Sequence, residues 1–151
     1  MAEGRPARHH PNDAGTTRLV GSARRRKSQL FFAQREAAET IIFLTEARPD
    51  LRQGISVPRD EPDEARQAEG FTGFLRYACK MATGSGKTTV VGMLAAWSIL
   101  NKLDHPRDKQ FSDGVLVVCP NVTIHGRLRE LDPRYGEASV YLSRDLFPDT
   151  G

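Results

Sequence analysis

From Leu30 onward, apolar residues recur at helical spacing through Ala33, Ala37, Ile41 and Leu44. This spacing predicts an amphipathic helix with Ser28 as its N-cap. Phe31, Phe32, Ile42 and Phe43 widen the apolar face, so the helix should pack against a large surface. Across residues 48–73 the pattern lapses. Pro49, Gly54, Pro58, Pro62, Gly70 and Gly73 interrupt any regular element, and Asp60, Glu61, Asp63 and Glu64 make the stretch acidic. A mobile surface insertion is expected there, with a short helix around residues 63–69. Two short apolar runs follow, at residues 75–81 and 115–119. Both read as strands, and the second is apolar throughout, as a parallel strand covered on both faces would be. Between them, Val90, Val91, Met93, Leu94, Trp97, Ile99 and Leu100 surround a helix expected from Lys87 to about Leu103. Residues 104–113 read as a polar loop, 124–131 as a short helix, and 139–142 as a strand in a weakly patterned tail. Strand, helix, strand, helix makes a βαβ unit with a parallel pair.

Composition narrows the class. The 151 residues are 38% hydrophobic and 27% charged, enough for one globular domain with a core. The net charge of +3 is unevenly placed. Residues 1–29 hold seven Arg and Lys against Glu3 and Asp13, a balance of +5 that leaves −2 for the rest. Residues 1–27 therefore read as a disordered basic arm. Its Arg24-Arg25-Arg26-Lys27 cluster suits either a nucleic-acid phosphate contact or a solvated charge run. His9 and His10 lack partners at a metal-ligand spacing. Cys79 and Cys119 end the two apolar runs without a CxxC pattern, which favours buried free thiols in a reducing compartment. The first thirty residues hold no apolar signal segment, and no run reaches a membrane span. A cytoplasmic location without a membrane partner is expected.

The chemistry concentrates at Thr83-Gly84-Ser85-Gly86-Lys87-Thr88-Thr89, between the first apolar run and the long helical pattern. Gly84 and Gly86 let the backbone curl so that its N–H groups converge on phosphate oxygens. The helix behind them aims its unsatisfied N–H groups and positive dipole end at the same place. Lys87 supplies a cation for the outer phosphates, and the Thr88 hydroxyl can ligate Mg²⁺. An ordinary Gly-rich strand–helix turn would leave the Lys-Thr pair behind the second glycine unexplained. Upstream, Gln34 carries a donor and an acceptor side by side, matching the N6 and N7 edge of adenine.

In order along the chain, Phe31-Phe32-Ala33-Gln34-Arg35-Glu36-Ala37, Lys80 through Thr88, and Val117-Val118-Cys119-Pro120-Asn121-Val122-Thr123 resemble the motifs of superfamily 2 helicases. Within that group they look most like the DEAD/DEAH-box motor of the restriction (R) subunit of type III restriction enzymes. The resemblance spans about residues 30–145. It implies an α/β fold, a partial RecA-like P-loop domain with a parallel sheet over residues 28–151, preceded by the basic arm and an adenine-motif helix. By the same resemblance Gln34 contacts adenine, residues 83–89 hold ATP with Mg²⁺ at Thr88, and Pro120, Asn121, Val122 and Thr123 touch the DNA backbone. The implied partners are DNA, the remainder of a motor and nuclease polypeptide, and a modification (methyltransferase) subunit. Met81 stands where the general GxxxxGK[ST] pattern has its first glycine.

No Asp-Glu pair follows an apolar strand downstream of the loop, and Asp145 is a poor substitute for a metal-binding, water-activating acid. No second motor domain or nuclease is present in these residues. The expectation is an N-terminal fragment of a motor that binds ATP-Mg without being catalytically complete. Two alternatives stand beside it: a P-loop NTP-utilising enzyme of another class, which would need a phosphoacceptor site and an Arg-rich lid, and a non-enzymatic truncated remnant.

Overall fold

A computed structural model describes residues 29–120 and 122–147, with the side chains of Val122 and Thr123 excepted. The basic arm expected at residues 1–27 and the Ser28 cap lie outside the described residues. The first long helix, α1, spans Phe32–Glu46 with Phe31 at its N-cap. The second long helix, α3, spans Lys87–Asp104 and starts directly behind the glycine loop. These two carry most of the fold. Ala38 and Ile42 of α1 join Val90, Met93, Ala96 and Trp97 of α3 in one buried cluster. The small Ala38 and Ala96, both fully buried, let the two backbones approach closely.

The stretch at residues 48–73 has more regularity than its Pro and Gly content suggests. Pro49–Arg52 forms a 3-10 turn. A five-residue helix, α2, spans Glu64–Ala68, within the short helix expected at 63–69. The Asp63 carboxylate caps it by accepting from the Arg66 N–H at 2.9 Å. Two-residue strands β1 (Arg59–Asp60) and β2 (Phe74–Leu75) pair antiparallel and bracket residues 61–73. Exposed ion pairs flank the ribbon, with Arg59 on Glu61 and Arg76 on Asp60.

This ribbon is the whole sheet among the described residues, which corrects the expected fold class. The parallel, RecA-like sheet is not formed. Residues 76–81 and 115–119 form no strand. A continuous apolar run signals a doubly covered strand only if helices remain to cover it. Here α1 and α3 pack directly on each other through Ala38, Ile42, Ala96 and Trp97, so those faces lie on no sheet. A lone parallel pair would also be marginal, since stable sheets need three or more strands or a covering helix. Exposure along the second run alternates accordingly, at 47% for Val115, 88% for Leu116, 42% for Val117 and 82% for Val118. The chain there keeps a strand's two-residue period in its exposure.

Two further segments depart from their sequence reading. Residues 104–113 supply a core residue: Phe111 is buried and meets Trp97 edge-to-face, with ring centroids 5.2 Å apart. The tail at 139–142 is helical. Ser139 caps α5 (Val140–Ser143), and Val140, Tyr141 and Leu146 enter the core. Burial pushes the Tyr141 phenol pKa up, because the anion would lose its hydration. The helix expected at 124–131 appears as α4 (Val122–Leu128) followed by the 3-10 turn Arg129–Leu131. Cys79 is exposed and Cys119 half-buried, so neither is the buried thiol expected. No helix among the described residues is long and apolar enough to cross a membrane.

Candidate functional site

The glycine loop is built from its backbone. Gly84 has φ +79° and Gly86 φ +81°, a left-handed conformation that costs an L-residue about 1–2 kcal/mol and a glycine almost nothing. Between them Ser85 is tied back to Ala82, whose carbonyl accepts from the Ser85 hydroxyl at 2.7 Å. The curl ends at Gly86, the N-cap of α3, whose carbonyl accepts the first helical bonds from the Thr89 and Val90 N–H groups. The first-turn N–H groups of α3 are thus presented beside the loop with the helix's positive end.

Lys87 occupies the first position of α3, and its Nζ donates to the Ala82 carbonyl at 2.8 Å. That bond folds the lysine across the loop. An entering phosphate would compete for the ammonium with a neutral carbonyl, and charge-assisted bonds are roughly twice as strong as neutral ones. Thr88 is half-buried and Thr83 exposed, while Thr89 is buried. The loop and helix start thus hold the glycines, the cation and the half-buried hydroxyl that a triphosphate with Mg²⁺ requires, so the residues fit that ligand. Among the described residues, no group of three or more His, Cys, Asp or Glu is placed to hold a metal ion. A metal here would rest on Thr88 and the phosphates themselves.

Gln34 is the residue the structure brings to the loop from furthest away in sequence. It sits at the third position of α1, where a Gln can reach back to the cap. Its Oε1 accepts from the Phe31 N–H at 3.0 Å, and its Nε2 donates to the Ser85 carbonyl at 3.0 Å. It is 1% exposed, with the amide turned onto the loop. A Cβ at Gly86 would collide with Nε2. The Phe31-x-x-Gln34 spacing hints at the cap bond; the bond to Ser85 has no local signal.

No family model, curated protein or solved structure matches this chain.

The remaining expected site residues are scattered. Pro120 is exposed, Asn121 lies outside the described residues, and Val122 and Thr123 open α4. That helix packs on the Arg129–Leu131 turn. With no parallel sheet among the described residues, no shared strand edge joins residues 120–123 to the glycine loop.

Proposed function

We propose that this chain binds ATP-Mg at residues 83–89, as the nucleotide-binding portion of a DNA translocase resembling the type III restriction R subunit. One observation carries the nucleotide part of this reading. A loop with two left-handed glycines opens directly onto the N-terminus of an eighteen-residue helix that begins Lys-Thr. An ordinary turn needs neither two left-handed positions nor a lysine drawn back over them. Gln34 then acts as a positioning residue, holding Ser85 so that the loop stays curled before ligand arrives. The DNA part of the reading is supported by the motif order in the sequence, with Pro120 exposed at its last segment.

Titration calorimetry with ATP-Mg tests the site. Lys87→Ala should remove most of the affinity, because it deletes the only side-chain cation of the loop, and Thr88→Ala should weaken binding chiefly when Mg²⁺ is present. Binding unchanged in Lys87→Ala would place the nucleotide elsewhere or nowhere.

A further inference from the structure

A groove of about 680 Å³ runs between α1 and residues 76–82. Ala33, Ala37 and Ile41 form part of one wall, and Met81 and Ala82 part of the other. Its volume falls within the 300–1,000 Å³ of ordinary small-molecule sites. Three features say what fits it. Ala82 and Ser85 line the groove and also belong to the closed glycine loop, so the two sites are continuous. Small side chains on α1 leave an apolar slot that would accept a planar ring. Residues 78–81 also line the groove, and their peptide groups make no hydrogen bond to the backbone of the described residues. Unpaired peptide donors and acceptors beside apolar walls suit a heterocycle with an apolar face and a polar edge. Gln34, by contrast, is buried with its amide already on Phe31 and Ser85.

We propose that the base and sugar of a nucleoside triphosphate lie in this groove, with the base edge on the main chain of residues 78–81 rather than on Gln34. The inference rests on the phosphate-loop reading above and adds where the nucleoside goes. Peptide groups offer donors and acceptors to any base, so discrimination between ATP and GTP should be modest.

The test compares ATP-Mg with tripolyphosphate-Mg, which carries the phosphates without the nucleoside. Both should weaken in Lys87→Ala. In the unaltered chain ATP should bind at least about tenfold more tightly than tripolyphosphate, a difference of about 1.4 kcal/mol. Thr40→Trp and Ala33→Trp, at exposed α1 positions lining the groove, should each erase that advantage and leave tripolyphosphate binding intact, which also shows that the variants fold. ATP binding no tighter than tripolyphosphate, or an advantage that survives both tryptophans, would overturn the groove assignment and leave the phosphate loop standing. Tripolyphosphate binding indifferent to Lys87→Ala would remove the loop reading and this inference together.

Discussion

Gly86→Ala probes the contact between the two parts of the candidate site. The new Cβ meets two costs. At φ +81° an alanine is in the left-handed region, costing about 1–2 kcal/mol. It also collides with the Gln34 amide nitrogen. A flexible side-chain end would ordinarily swing away, but Gln34 is 1% exposed and bonded at both ends of its amide. Moving it breaks the bond to the Ser85 carbonyl and strands a buried amide, worth about 1–3 kcal/mol. The variant should therefore lose about 2–5 kcal/mol, a large part of the roughly 5–15 kcal/mol that holds a domain folded. Urea unfolding followed through Trp97, the sole tryptophan, reads this directly. The decisive measurement is the double variant. Gln34→Ala alone loses two hydrogen bonds, at about 1 kcal/mol each, but it also removes the obstacle. Adding Gly86→Ala to it should cost only the backbone strain, so the pair should fall short of additivity by about 1–3 kcal/mol. Additivity within about 0.5 kcal/mol would mean that Gln34 does not rest on the loop, and the positioning role assigned to it would fail.

Two other outcomes follow from the same geometry. Gly92→Ala should destabilise although alanine is the better helix former by about 1 kcal/mol. Its Cβ would lie 2.6 Å from Val140 Cγ1 and 3.3 Å from Leu146 Cδ1, and overpacking costs about 1–3 kcal/mol. If the variant's thermal midpoint rises, α5 is not seated on α3 as described. The purified chain should also show no DNA-stimulated ATP hydrolysis. The loop, Lys87 and Thr88 hold ground state and transition state alike, whereas turnover needs a positioned water and charge neutralisation, for which an arginine alone is worth about a thousandfold or more. Phosphate release abolished by Lys87→Ala would refute this and direct attention to the carboxylates at residues 60–64.

The sequence by itself determined the elements whose cause is local. The helices at 32–46 and 87–104 follow from their apolar periodicity, and the loop between glycines 84 and 86 follows from residues that tolerate left-handed backbone. Asp63 marks the start of its five-residue helix because capping is settled within three residues. What the apolar runs at 75–81 and 115–119 would pair with was a different matter. Strandedness depends on a neighbour supplying hydrogen bonds, and nothing inside a run says whether that neighbour is present. The tertiary structure packed the two long helices directly on each other and formed no parallel pair between the two runs, with only Leu75 entering the antiparallel ribbon. It also drew Phe111, Tyr141 and Leu146 into the core from segments without periodicity, since one well-placed aromatic or aliphatic side chain can be buried from a loop. At the site, the residue types of the phosphate cradle were legible because they adjoin in sequence. The bond from Gln34 to Ser85 was not, because it spans 51 residues and exists only once α1 lies against α3.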